Sequence, residues 1–138
     1  MNILLIMPHS NPKRSFFSKF QYPSSTLQQI AALTPKEHNV TLVDERYKDV
    51  PFSSEYDLVG ISALTYNVNR GYEIAKKYRD LGVPVVFGGY HASLMPDEVK
   101  DHADSVVVGE AELTWPQILR DLENGEMKTI YTSPRVVK

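Results

Sequence analysis

The chain has 138 residues, a net charge of −2 and no cysteine. That length predicts one domain with a hydrophobic core. The near-neutral charge does not favour a nucleic-acid partner. The lack of cysteine excludes disulfides, zinc–thiolate sites and iron–sulfur ligands within these residues. The first apolar run, Ile3 to Met7, is too short for a signal peptide or a membrane span, so we expect a cytoplasmic protein with no membrane partner.

Apolar runs bounded by turn residues predict five strands: Asn2–Met7, Asn39–Val43, Asp57–Ser62, Pro84–Phe87 and Ser105–Val108. A long loop, Pro8–Pro23, follows the first strand. Helical periodicity and capping residues predict a helix from Ser25, two more over Tyr66–Leu81 and Ala111–Glu123, and a helical turn at Pro96–Lys100. His38 and His102 are predicted to lie on the surface.

The order of these elements predicts the fold class. Strands alternate with helices and are apolar throughout, which indicates a parallel sheet covered by helices on both faces. We therefore expect a five-stranded, flavodoxin-like α/β domain over residues 1–127. Residues 128–138, "KTIYTSPRVVK", are expected to form a short strand and a linker towards a missing C-terminal catalytic domain.

In such a sheet, ligands bind beyond the carboxyl ends of the strands. The loop after the first strand, "PHSNPKRSFFSKF", has no glycine and so cannot wrap a phosphate tightly. A G-x-G-x-x-G fingerprint is missing there, and no catalytic triad or carboxylate pair can be assembled, so we predict no catalytic residue. The candidate binding residues are the strand ends: Pro8, His9, Ser62, Ala63, Leu64, Thr65, Gly88, Gly89, Tyr90, His91, Gly109 and Glu110.

Two of these strand ends carry a family resemblance. Ser62-x-Leu64, followed by Gly88-Gly89, resembles the Ser-x-Leu and Gly-Gly pair that lines the slot for the nucleotide tail in cobalamin-binding domains. The Asp-x-His-x-x-Gly motif that supplies a histidine to cobalt is absent. "ILLIMP", "LVGISALTYN", "VVFGGYHASLMPDEV" and "ADSVVVGEAELTWPQIL" resemble the N-terminal domains of cobalamin-dependent radical SAM enzymes, which commonly lack that motif.

The resemblance implies a module that binds cobalamin at the strand-end residues named above and offers no metal ligand of its own. It implies a C-terminal radical SAM domain in the same protein, with S-adenosylmethionine and a [4Fe-4S] cluster, where methyl transfer or radical chemistry takes place. This chain alone would then be non-catalytic. The alternative is a ligand-free α/β adaptor that docks on the radical SAM barrel.

Each candidate also has a structural explanation. Gly88 and Gly89 fit a tight turn, Ser62 fits a strand-end hydrogen bond, and Glu110 fits the positive end of a helix. A test separates the explanations for the glycines. If they serve a ligand, Gly89→Ala is expected to fold like the wild type and to lose cobalamin, whereas Gly88 is expected to be structurally stricter.

Overall fold

A computed structural model of the protein describes residues 1–10 and 25–134. Most of the predicted loop Pro8–Pro23, and residues 135–138, lie outside this range. Within the described residues one sheet runs in the order β2-β1-β3-β4-β5-β6, and all neighbouring strands are parallel. Its strands are β1 (Asn2–Met7), β2 (Asn39–Asp44), β3 (Leu58–Ser62), β4 (Val85–Gly88), β5 (Ser105–Val108) and β6 (Ile130–Thr132).

Helices cover both faces of this sheet, as the sequence predicted. Alternate strand residues point to opposite faces, so Phe87 packs in one core and its neighbour Val86 in the other. The Phe87 core is closed by α2 (Val68–Asp80), α3 (Tyr90–Leu94) and α4 (Pro96–Val99). The Val86 core is closed by α1 (Ser25–Ala32) and α5 (Ala111–Glu123). The flavodoxin-like α/β class is therefore confirmed.

The described sheet has six strands, one more than the sequence predicted. The additional strand is the strand-like piece expected after residue 127, and it pairs with β5 through Val107 and Tyr131. Tyr131 is buried, and its hydroxyl donates to Asp121 Oδ2 at 2.6 Å and accepts from the Lys128 amide at 2.9 Å. These contacts make β6 part of the packed domain.

Two further differences concern burial and local structure. His38 is buried rather than on the surface, with Nδ1 2.9 Å from the terminal amine of Met1. The sequence predicted no helix between β4 and Pro96, whereas Tyr90–Leu94 forms α3. None of the helices in the described part of the chain has the length and apolar character needed to cross a membrane.

Candidate functional site

A groove of about 370 Å³ opens at the carboxyl edge of the sheet, between the strands and the helices α1 and α5. Its volume lies within the range of small-molecule pockets, roughly 300–1,000 Å³. Apolar side chains from both the sheet and the helices form much of its lining: Leu5, Leu27, Ile30, Val86, Val107 and Trp115. Half of the strand-end candidates also line it: Ser62, Gly88, Gly89, Tyr90, Gly109 and Glu110.

Small residues at the ends of β3 and β4 create this groove. Strand alternation puts Gly60, Ser62 and Gly88 on the face covered by α1 and α5, and the register pairs Ser62 with Gly88. Because none of the three carries a large side chain, open space remains over this part of the sheet, between the strand ends and α5. Gly60 was not among the predicted residues, although a glycine inside an apolar strand is the signal of a close approach.

The two adjacent glycines have different surroundings. Among the described residues, a Cβ on Gly88 would come within 4 Å of a single atom, the Cβ of Val107, at an ordinary 3.7 Å. Gly89 has φ +98 and ψ −174, a backbone conformation that is essentially restricted to glycine. A Cβ there would lie 2.7 Å from the carbonyl oxygen of Ala63. The expectation that Gly88 is the stricter of the two is therefore wrong, because Gly89 is required by the fold and Gly88 is not.

Gly109 also has a structural cause. Its φ is +91, and a Cβ would overlap with the Ser133 hydroxyl oxygen, which accepts a hydrogen bond from the Glu110 amide at 3.2 Å. Ser93 links this loop to the neighbouring one, since its hydroxyl accepts from the Gly109 amide at 2.9 Å and donates to the Gly89 carbonyl at 3.2 Å. The rim of the groove is thus held by hydrogen bonds, which leaves Gly88 as the rim glycine without a structural requirement.

The remaining candidates lie outside the groove lining. Ala63 connects two strand ends, because its amide donates to the Gly88 carbonyl at 3.2 Å and its carbonyl accepts from the His91 amide at 3.3 Å. Leu64 is 44% exposed. Thr65 is exposed at the same edge, at the start of a 3₁₀ turn, Thr65–Asn67.

Pro8 and His9 are fixed by groups that follow the neighbouring strands. The Pro8 carbonyl accepts from the Asn67 side-chain amide at 3.0 Å, and the His9 backbone amide donates to Glu45 Oε1 at 2.9 Å. Glu45 is only 3% exposed and takes a bidentate hydrogen bond from Arg70, which raises the pKa of that guanidinium. A buried carboxylate needs such a partner, so this pair holds the end of β1 in place.

His91 lies in a hydrogen-bonded chain on the opposite face from the groove. Its Nδ1 is 3.1 Å from Thr65 Oγ1, and its Nε2 is 2.5 Å from Glu98 Oε2. The Tyr72 hydroxyl donates to the same carboxylate oxygen at 2.5 Å. The hydrogen bonds from Tyr72 and His91 lower the pKa of Glu98, while burial and the bond to Glu98 raise the pKa of Tyr72.

Several residues that shape the site were not among the candidates predicted from the sequence. Trp115 was predicted only as part of the last helix, yet it lines the groove, and its Nε1 donates to Thr34 Oγ1 at 2.9 Å. Asn67 is 1% exposed and joins two strand ends, since it also accepts from the Leu64 amide at 2.7 Å. An asparagine at the start of the predicted helix was the available signal for this role, whereas Ser93 offered none.

The geometry defines an α/β domain with a ligand groove at the carboxyl edge, and comparison with known proteins places it in a family. The model of the B12 binding domain matches residues 23–119. That match covers more than half of the chain, so the protein belongs to the B12-binding domain family, as the sequence motifs indicated.

Curated relatives are similar over most of this chain. Bacteriochlorophyllide d C-8(2)-methyltransferase of Chlorobaculum tepidum is 43% identical over 75% of the chain and 23% of its own length. Bacteriochlorophyllide d C-12(1)-methyltransferase of the same organism is 34% identical over 93% of the chain and 28% of its own length. The chain therefore spans about a quarter of these relatives.

A solved structure, the N-terminal domain of a hypothetical protein of Thermotoga maritima, is also similar. It is 23% identical, with a TM-score of 0.48, and the match covers 62% of this chain and 76% of that one.

Proposed function

We propose that this domain binds cobalamin with the nucleotide tail in the groove and the corrin ring against the carboxyl edge of the sheet. The main support for this proposal is the presence of a glycine at position 88. This glycine faces the groove, has ordinary room for a side chain and has no backbone strain. A glycine that the fold does not require is explained by a ligand that passes directly over the backbone.

The chemistry of the groove fits a nucleotide tail. The aromatic base of the tail is apolar, and Leu27, Ile30 and Trp115 offer apolar walls for it. The half-buried Ser62 offers a hydroxyl for a polar group on the tail. A site of apolar walls with a few polar groups is typical of cofactor pockets.

Bound cobalamin supplies a cobalt centre for methyl transfer or radical chemistry, which belongs to the cofactor. The residues of this chain hold and orient it, and we assign none of them a catalytic role. The two Chlorobaculum relatives are methyltransferases by name and are about four times longer than the matched region. That supports a partner domain in the same protein, which we propose to be a radical SAM domain with S-adenosylmethionine and a [4Fe-4S] cluster.

The test is cofactor retention by the purified domain. After incubation with hydroxocobalamin and gel filtration, the wild-type protein should carry the red cofactor at about one per chain. Trp115 is the only tryptophan in the chain and lines the groove, so its fluorescence should be quenched on binding. The matched control is Gly88→Val, which fills the rim of the groove. Colourless wild-type protein, or equal retention by Gly88→Val, would contradict the proposed site.

One observation favours the second candidate, a ligand-free adaptor. Large apolar side chains are exposed around the carboxyl edge, where a protein partner could cover them: Leu64, Tyr66, Tyr90, Leu94, Met95 and Leu113. A ligand-free adaptor would bind no corrinoid, so the retention experiment decides between the two functions.

A further inference from the structure

The chain of hydrogen bonds from Glu98 through His91 to Thr65 ends at the carboxyl edge and has no part in the groove. His91 is 7% exposed, so its ring nitrogens are satisfied by protein groups rather than by bulk water. Thr65, in contrast, is exposed and lies three residues beyond Ser62, which lines the groove. This series of hydrogen bonds therefore connects a carboxylate on α4 to a hydroxyl that a ligand can reach.

The direction of each hydrogen bond follows from the carboxylate. Glu98 Oε2 accepts from the Tyr72 hydroxyl, and an ionised carboxylate has no proton to give to Nε2. The Nε2 atom of His91 must then carry a hydrogen, and in a neutral imidazole the other nitrogen, Nδ1, is an acceptor. With the imidazole neutral, the Thr65 hydroxyl donates its single proton to Nδ1, and its oxygen lone pairs remain for a ligand.

We propose that Glu98 and His91 are positioning residues that fix the Thr65 hydroxyl as a hydrogen-bond acceptor for an amide N–H of the bound corrinoid. This inference rests on the proposed function, because it names a polar contact for the same ligand. The corrin ring carries amide side chains, which offer N–H donors at its edge. A ligand carboxylate has no hydrogen to donate, and its negative charge would be repelled by the oxygen lone pairs of Thr65.

The experiment compares hydroxocobalamin with its b-, d- and e-monocarboxylic acids, in which one amide at a time is a carboxylate. Affinity is measured by quenching of Trp115. We expect at least one acid to bind wild type about tenfold more weakly than hydroxocobalamin, the size of one lost hydrogen bond. Taking the ratio of the two affinities for each protein cancels changes at the cobalt.

Three variants isolate the contact. Thr65→Val, a change at an exposed position, should bring the ratio of the affinity for hydroxocobalamin to the affinity for the acid close to one. Its melting temperature should stay near that of wild type. Glu98→Gln should reduce the ratio, because it removes the charge that fixes the tautomer of His91. Tyr72→Phe is the matched control: it removes the other hydrogen bond to Glu98 and should keep the wild-type ratio.

A second readout needs no ligand. Nitrogen-15 NMR of the imidazoles, with His91 assigned by loss of its signals in His91→Gln, should show the proton of the neutral ring on Nε2 and none on Nδ1. The opposite tautomer, or equal ratios for wild type and Thr65→Val, overturns this inference alone. Wild-type protein that retains no hydroxocobalamin overturns the proposed function, and the inference falls with it.

Discussion

Gly88 and Gly89 are neighbours in sequence, yet replacing each with alanine should have opposite consequences. Gly88→Ala adds a methyl group that contacts Val107 at an ordinary distance of 3.7 Å. The change should alter the free energy of unfolding by less than about 1 kcal/mol, while the methyl group enters the groove. We expect a near-normal melt and at least a roughly tenfold loss of cobalamin affinity, about 1.4 kcal/mol.

Gly89→Ala should instead destabilise the domain whether or not cobalamin is present. Alanine would be forced into a backbone conformation restricted to glycine, at a cost of about 1–3 kcal/mol. Its Cβ would also press on the Ala63 carbonyl oxygen at 2.7 Å, which requires the backbone to shift. Thermal melts of both ligand-free variants provide the check. A stable Gly89→Ala, or a Gly88→Ala that binds like wild type, would show that these roles are assigned wrongly.

A further residue-scale prediction concerns the lower face of the cobalt. Both ring nitrogens of His91 are engaged by Thr65 and Glu98, so this histidine is not available as a ligand. The Asp-x-His-x-x-Gly motif is missing around His9. Bound cobalamin should therefore show a base-off optical spectrum without an imidazole ligand. An imidazole-ligated spectrum that disappears in His9→Ala or His91→Ala would contradict this expectation.

The sequence located the edge of the sheet that carries the groove, but it could not assign each residue its role. Ser62, Gly88 and Gly109 could be placed at one edge because each ends an apolar strand. Gly109 has a positive φ of +91, and its loop is held by Ser133, on a different segment of the chain, through a hydrogen bond from the Glu110 amide that exists only after folding. The hydrogen bonding of His91 likewise depends on Glu98 from a separate helix, which spacing along the sequence does not reveal.

At the scale of elements, β6 depends on the contact between Tyr131 and Asp121. The Tyr131 hydroxyl lowers the pKa of Asp121 below its ordinary value of 3.8 by donating to the carboxylate. Because the folded-state pKa is depressed, this contribution to stability is present above about pH 4 and is lost as the pH falls through the lowered value. Tyr131→Phe removes the contact and leaves the Lys128 amide without its acceptor.

We expect Tyr131→Phe to lower the melting temperature by about 3–6 °C at pH 7, the effect of losing a buried hydrogen bond. The difference from wild type should narrow in melts at pH 3. Tyr66→Phe, which changes a tyrosine that is 68% exposed, is the control and should melt like wild type at both pH values. A difference that does not change with pH would mean that Asp121 is not the cause.

Long, strongly patterned elements were predictable, and short ones were not. β1 and the helix α5 have the bounds that the sequence predicted, because an apolar run or a capped amphipathic stretch fixes them locally. β6 has only three residues, Ile130–Thr132, and becomes a strand by pairing with β5. α3 has five residues and begins at the conformation of Gly89, so its start depends on the approach of Ala63.

At the scale of the whole molecule, cobalamin binding should stabilise the fold. The groove is built from α1, α5 and four strands of the sheet, so the unfolded chain has no equivalent site. A ligand at about 100 times its dissociation constant that binds only the folded state adds about 2.7 kcal/mol to the free energy of unfolding. For a domain of this size, that corresponds to a rise in melting temperature of roughly 6–12 °C.

The comparison of ligand-free and cobalamin-bound melts therefore separates the two candidate functions in one measurement. Wild type should show the rise, and the rise should grow with the logarithm of the cobalamin concentration, as mass action requires. Gly88→Ala should melt like wild type without ligand and show at most about half of the wild-type rise at the same cobalamin concentration, because a tenfold loss of affinity removes about 1.4 of the 2.7 kcal/mol. If wild type shows no rise at any cobalamin concentration, the groove holds no corrinoid and the exposed apolar residues at the carboxyl edge favour the adaptor function.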